Sequence, residues 1–383
     1  MSRRSKNVFR LGLTSFFTDM SSEMIFPILP LFLTSVLGAP MSVVGLIEGI
    51  AEATSAVLKQ FSGWISDKLG KKKPLVIAGY SLSTLTKPLL ALATNWGHVL
   101  GVRMADRVGK GIRDSPRDAL LAASVTKKKR GRGFGLHRAL DTGGAVAGTL
   151  IASFVLMRYL GDAFKIIFLL SLVPGIIAVM ILFFGVKERR DHIKKHIKVG
   201  FRHANPMLRR FFIIIGLFNL ANFSYAFFIL RAEDVGVVLS LIPIIYLVYN
   251  LVYAALAYPA GRLSDIIGRK ALLTSGIFLF SLTVLGFGFF ANSLSVWILF
   301  GLYGVFMAIT DGIGRAFVSD LATRERRGTA LGTYHMIIGI TVFPANFFGG
   351  LLWDNISVQA PFIYAAVLSA VSAVLLLIFV RKK

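Results

Sequence analysis

The chain is predicted to be an all-α membrane protein with twelve transmembrane helices in two pseudo-symmetric six-helix bundles. Three observations carry this expectation. The first is composition: of 383 residues 55% are hydrophobic, 32 are Phe, and the mean hydropathy is +0.70, more apolar side chain than a soluble core of this length can hide. The second is a series of apolar runs long enough to cross about 30 Å of hydrocarbon as helices. The third is an internal duplication. Gly63-Trp-Ile-Ser-Asp67-Lys-Leu-Gly70-Lys71-Lys72 returns as Gly261-Arg-Leu-Ser-Asp265-Ile-Ile-Gly268-Arg269-Lys270, each matching position displaced by 198 residues, as from Gly63 to Gly261. That period far exceeds a solenoid repeat, and both copies sit between apolar runs, as in membrane proteins built of two related halves.

Taken in order, the first run, 11–37, follows Arg3, Arg4, Lys6 and Arg10 and contains Asp19 and Glu23. It is too long for a signal peptide and lacks a small-x-small cleavage site, so it is read as a retained helix. The second, 43–65, carries Gly45, Gly49 and Ala53 at four-residue spacing, and the fifth, 135–157, carries Gly144 and Gly148. Such stripes let helix backbones approach closely where lipid supplies no hydrophobic drive. The third, 74–94, holds Lys87, the fourth, 98–123, holds eight charges, and the sixth spans 165–185. A basic linker at 186–210 separates an N-terminal bundle (1–185) from a C-terminal one (211–383), whose runs lie at 210–230, 236–260, 271–290, 296–320, 328–352 and 360–380. The runs lack the short alternating pattern of an outer-membrane barrel. Prolines 27, 30, 88, 116, 174, 243 and 344 are expected to bend or interrupt helices.

The net charge of +24 would suit nucleic acid if it were spread over one surface, but 32 of the 43 Lys and Arg fall in seven segments between apolar runs. Alternate connections at 33–42, 93–98, 290–296 and 353–360 carry none. Positive charge retained on the cytoplasmic side explains this alternation and excludes nucleic acid as the partner. It implies a multi-pass protein of the cell (inner) membrane with both termini and the linker cytoplasmic. There is no Cys, hence no disulfide or thiolate metal site. No Gly-x-x-x-x-Gly-Lys-Ser loop occurs, which leaves a gradient rather than ATP as the energy source. No cofactor or metal is expected.

The duplicated loop resembles the signature loop of the major facilitator superfamily, Gly-x-x-x-Asp-Arg-x-Gly-Arg-Lys, between the second and third helices and again between the eighth and ninth. In the first copy Lys68 keeps the basic charge after the aspartate; in the second Ile266 does not. In the fourth run Arg107-Val-Gly-Lys110-Gly111 is similar to that family's Arg-x-x-Gln-Gly, with Lys110 replacing glutamine. Gly144-Ala-Val-Ala-Gly148 is followed by Thr149 rather than by the Gly-Pro of the family's antiporter pattern. The resemblance implies a transporter exposing a central site to each side in turn. It also implies a gate in which Asp67 and Asp265 cap helix ends and hold basic partners such as Lys71 and Arg269, completed by Asp118 and Asp320.

Charges inside the runs are the candidate chemistry. Asp19 and Glu23, and Glu48 and Glu52, are pairs at i, i+4 and share a helical face. A charge at the bilayer centre costs roughly 2.5–3.5 kcal/mol on the insertion scale, so these groups must face water or one another. Two readings stay open. One is a structural ion-pair lattice. The other makes Asp19, Glu23, Glu48 and Glu52 proton or cation sites, since carboxylates removed from water favour the protonated form, with Lys87, Arg107 and Lys110 contacting an anionic part of a substrate. In the second half Asn219, Asn222, Tyr225, Tyr246, Tyr249 and Asn250 are candidate substrate contacts; Tyr246, Tyr249, Asn250 and Tyr253 repeat at helical spacing, which plain packing also explains. Asp311 and Arg315 lie one turn apart and read as an intrahelical ion pair. His137 and Asp141 suggest a metal or acid–base pair but have no obvious third ligand, and His335 reads as a hydrogen-bonded core residue.

The expected function is secondary active transport, proton-coupled export of a small amphipathic or polar compound. Uptake of a small organic anion or metabolite is the alternative, and a membrane enzyme or a receptor without transport lacks supporting residues. The expected partners are a small-molecule substrate, protons and the lipid bilayer, with the protein acting as a monomer.

Overall fold

The computed structural model describes residues 3–125, 130–159, 161–188, 205–323 and 327–380; residues 189–204 of the expected linker lie outside them. The described residues are helical with short connections and contain no strand. In hydrocarbon a backbone must satisfy its own N–H and C=O groups, and helices do so within each segment.

The helices are α1 (Arg3–Glu23), α2 (Met41–Leu69), α3 (Lys73–Thr86), α4 (Trp96–Ala123), α5 (Arg130–Arg158), α6 (Ala163–Leu170), α7 (Leu172–Met180), α8 (Pro206–Ala221), α9 (Tyr225–Asp234), α10 (Ile242–Ile267), α11 (Arg269–Leu285), α12 (Ser295–Leu321), α13 (Arg327–Asn355) and α14 (Ala360–Phe379). Short 3-10 or π turns extend several of them, and α6 with α7, and α8 with α9, make single spans, giving twelve spans in the described residues. Ten of these stretches are apolar and long enough to cross a membrane by composition alone. The two that are not, α1 and α4, are the ones loaded with charge.

The described residues form two compact units: Met1–Ala39, Ile50–Lys195 and Leu239–Ile244 in the first, and Pro40–Gly49, His196–Val238 and Ile245–Lys383 in the second. In the first unit α1 lies against α5 so closely that a Cβ on Gly144 would sit 2.0 Å from the Phe16 carbonyl oxygen, and one on Gly148 would sit 2.3 Å from that of Met20. The third and fourth spans meet in the same way, Gly79 against the Gly109 carbonyl at 2.5 Å and Gly109 against that of Gly79 at 2.6 Å. These contacts set the depth at which the α1 and α4 side chains face their neighbours. At one end a small apolar core (Val8, Leu11, Val76, Tyr80, Leu121, Leu182) joins α1, α3, α4 and the end of the sixth span. Beside it the Asn7 side chain bonds the Lys187 backbone N–H at 2.9 Å and the Ser124 hydroxyl at 2.8 Å. The Glu188 carboxylate accepts from the backbone N–H groups of Lys72 and Lys73 at 3.1 and 2.8 Å, capping the start of α3.

The second unit packs around aromatic rings, among them Phe228, Phe287 and Phe362, with centroids 4.7–6.1 Å apart. Its first span breaks between α8 and α9, where the Asn346 side-chain oxygen accepts from Ser224 N–H at 2.7 Å. Near the far end of that span, buried Arg231 pairs with Asp234 and donates to the carbonyls of Phe287 (3.0 Å) and Gly288 (3.3 Å) in the π turn Gly286–Phe290. The first turn of α2 belongs to this unit: Met41 and Ser42 N–H donate to Asp354 at 2.9 and 2.7 Å, and a Cβ on Gly45 would meet the Asn346 carbonyl at 2.2 Å.

Gly144→Ala is therefore expected to force α1 and α5 apart and lower stability by roughly 1–3 kcal/mol. Gly12→Ala should cost less, because its Cβ would meet only the movable Leu140 Cδ1. Apparent Tm values of the two purified variants check this; equal shifts would remove backbone approach as the reason for glycine at 144.

Candidate functional site

Helix α4 carries five basic and three acidic residues between Arg103 and Asp118, and nearly every one finds a partner inside the first unit. Arg107, 2% exposed, places Nη1 3.2 Å from Glu52 Oε1 of α2 and Nε 3.9 Å from Asp106 Oδ2. Arg103 approaches the same Asp106 at 3.8 Å. Both guanidinium groups stack against one ring, Phe26, at 4.5 Å from Arg103 and 4.8 Å from Arg107. A delocalised guanidinium tolerates such a partly apolar environment better than an ammonium does.

Further along α4, Arg113 donates to Ser83 Oγ at 2.6 Å and lies 4.5 Å from the Tyr80 ring centroid, while Ser83 Oγ donates to the Asp106 carbonyl at 3.1 Å. Asp114 sits 3.6 Å from both Lys59 and Arg117. Arg117 also pairs with Asp118 at 2.9 Å. Lys110 is half-buried between these groups, in electrostatic reach of Glu52 and Asp114.

Lys87 differs from its neighbours. It is 2% exposed, and its Nζ donates to the hydroxyls of Ser21 (3.1 Å) and Ser22 (2.7 Å) on α1, with no carboxylate within ion-pair distance among the described residues. Asp19 and Glu23 lie on the same helix, Asp19 beside Asp141 of α5. Glu48 is buried on α2 one turn before Glu52, in the stretch that groups with the second unit.

In the second unit the tyrosines line up. Ring centroids of Tyr225 and Tyr246 are 5.0 Å apart, Tyr246 and Tyr249 5.5 Å, and Tyr249 and Tyr253 stack at 6.5 Å. The row ends at a polar cluster: Tyr253 OH donates to Asp311 at 2.9 Å, and Arg315 donates to the same carboxylate at 2.7 Å. Asp311 lies 16 residues into α12, about 24 Å along the axis at 1.5 Å per residue. The Asn219 amide donates to the Ile215 carbonyl and that of Asn250 to Tyr246, so these N–H groups serve their own helices. Asn222 stands at the break after α8.

The repeated loop is built differently in its two copies. In the second, Arg269 bridges Asp265 (3.5 Å), Asp320 (2.7 Å) and the Ala316 carbonyl (2.8 Å), tying the start of α11 to α12. Ile266 points outward, 75% exposed, so the missing basic residue leaves this bridge intact. In the first, the Asp67 side chain lies outside the described residues, Lys71 is exposed, and Asp118 pairs with Arg117 of its own helix.

The residues that join these groups, Phe26, Ser21, Ser22, Ser83 and Asn346, were not singled out by the sequence. Their type carries no signal, and only their positions opposite a charge or a helix break mark them.

The sequence model of the Major Facilitator Superfamily matches residues 11–230 and 211–383. An uncharacterized MFS-type transporter of Methanocaldococcus jannaschii is 42% identical over 97% of this chain and 94% of its own. The multidrug resistance protein MdtH of Photorhabdus laumondii is 24% identical over 86% of this chain and 82% of its own. Among solved structures, the nucleoside transporter NupG superposes with a TM-score of 0.80 at 14% identity, covering all of both chains. The chain belongs to the major facilitator superfamily: it is a multi-pass membrane transporter, and the family implies a small-molecule substrate.

Glu52→Gln removes the carboxylate nearest buried Arg107 and is expected to cost about 2 kcal/mol, short of the ~3–5 of a fully buried pair because the Glu52 side chain is 39% exposed. Adding Arg107→Leu should restore much of that loss. Thermal unfolding of single and double variants decides it; additive losses would mean the pair is not coupled.

Proposed function

We propose that the protein is a secondary active transporter working by alternating access, which exports a small amphipathic or polar compound in exchange for protons. The observation that carries this reading is the Arg107–Glu52 pair, 3.2 Å apart with Arg107 buried and Glu52 partly exposed, in electrostatic reach of Lys110. Protonating Glu52 would cancel the counter-ion of Arg107 and change what that guanidinium can hold, so that proton and substrate compete through one ion pair. Asp19, Glu23 and Glu48 join Glu52 as coupling carboxylates in this reading. Lys87, Arg107, Lys110 and the row from Tyr225 through Tyr246 and Tyr249, with Asn219, Asn222 and Asn250, contact the substrate. Asp67, Lys71 and Asp118 form one gate, and Asp265, Arg269 and Asp320 the other.

Export is supported by the likeness to MdtH, a multidrug resistance protein, although the fifth span lacks the antiporter Gly-Pro. The alternation of basic connections supports cytoplasmic termini in an inner membrane. Uptake of a small organic anion is the second reading, favoured by Lys87, a buried ammonium whose hydrogen bonds among the described residues go to the Ser21 and Ser22 hydroxyls.

The test is flux in proteoliposomes of compounds that raise the apparent Tm of the purified protein. An imposed pH gradient is expected to drive accumulation, and Asp19→Asn or Glu52→Gln should abolish the response to the gradient while substrate-induced stabilisation persists. Flux indifferent to the gradient ends the proton-coupled reading. Stabilisation by anions alone, lost in Lys87→Gln, favours uptake of an anion.

A further inference from the structure

We propose that Asp19 and Asp141 form one proton-binding site, a pair of carboxyl groups that bridges α1 and α5 and holds a single proton between them. This deepens the proton-coupled reading above and rests on it, and it brings in Asp141, to which no coupling role was attached.

The geometry starts from the backbone. Gly144 and Gly148 seat α5 on the carbonyls of Phe16 and Met20, so side chains one turn apart along this face meet across the contact. Ser15 Oγ donates to Asp141 Oδ1 at 2.5 Å. Asp19 lies one turn further along α1 on the same face as Ser15, which brings its carboxyl beside that of Asp141 across the helix contact. Two ionised carboxylates side by side repel and have no donor to offer each other, and one proton held between them removes the repulsion. Asp141 already accepts from Ser15 and, at Oδ2, from Arg138 Nη1 at 3.1 Å. Asp141 is therefore the acceptor, and the proton resides on Asp19.

The surrounding charges are Glu23 on α1, Arg117 and Asp118 on α4, His137 and Arg138 on α5, and Lys87 at the end of α3; α7, also packed on α1, contributes no titratable side chain. His137 is the second observation. It lies one turn before Asp141 and is 7% exposed, and its Nε2 has no hydrogen-bond partner among the described residues. In the Nδ1–H tautomer that nitrogen is a vacant proton acceptor beside the pair. On release the Asp19 O–H bond breaks and the proton passes to water. Two adjacent carboxylates remain, and their repulsion loosens the α1–α5 contact. The proton belongs to the pair, so removing either acid removes the site.

Infrared difference spectra of the full-length protein in liposomes, acid minus alkaline, test this with protons as the only ligand. Wild type is expected to lose the C=O band of one protonated carboxylic acid on alkalinisation. Asp19→Asn and Asp141→Asn should each abolish that same band, Asp141→Glu should keep it at a shifted position, and Glu52→Gln should leave it. The wild-type titration stands even if a variant fails to fold: no protonated-acid band at any pH overturns the proposal. A band unchanged in Asp141→Asn, or two different bands lost in the two Asn variants, overturns it as well. If the band behaves as expected but transport ignores a pH gradient, proton coupling fails while the pair stands. If transport follows the gradient without such a band, the pair fails and coupling stands.

Discussion

A charge cannot sit in hydrocarbon without a partner or water, and the first unit is organised around that constraint. Helix α4 could not cross a membrane on composition, yet it occupies a span's place because Glu52, Lys59, Ser83 and the rings of Phe26 and Tyr80 meet its side chains. The glycine contacts between α1 and α5 and between α3 and α4 serve the same end. They bring backbones close enough for short side chains such as Ser15 and Ser83 to reach a carboxylate and a guanidinium on the neighbouring helix. Packing and electrostatics are here one arrangement.

The two units descend from one repeated plan but satisfy it with different chemistry. Repeated loops begin α3 and α11, yet α3 starts under a carboxylate from the end of the sixth span, Glu188, whereas α11 starts with Arg269 clasped between Asp265 and Asp320. The first unit concentrates ionisable groups; the second concentrates rings, with Asp311 and Arg315 at the end of the tyrosine row and buried Glu48 in the first turns of α2. Such a division suits a carrier in which proton exchange and substrate shape are handled by different halves.

Spans, repeat and family were legible because hydropathy and the recurring Gly-x-x-x-Asp loop are local signals. Charged residues were legible as anomalies within apolar runs. Their pairings were not. Arg107 meets a carboxylate 55 positions earlier and Asp141 a carboxyl 122 positions earlier, Glu52 and Asp19 respectively, and nothing local ranks one candidate partner over another. Spacing alone assigned Glu52 to protons and Arg107 to substrate, whereas folding joins them. Asn219 and Asn250 stand out because an amide is rare in an apolar run; that each gives one N–H to a carbonyl of its own helix is visible only in the fold. The break before α9 left no trace in the sequence except Asn222, since Asn346, which holds it, lies 122 positions from Ser224.

The claim beneath this account is that exposed charge at mid-span depth faces water while exposed hydrocarbon faces lipid. The chain has no Cys, so single cysteines can be placed without background. Arg315→Cys, at a side chain 47% exposed, and Phe278→Cys, at a residue 52% exposed, should be probed in proteoliposomes with a membrane-impermeant maleimide. The account predicts rapid labelling at 315 and none at 278. Labelling at 278 with protection at 315 would contradict it.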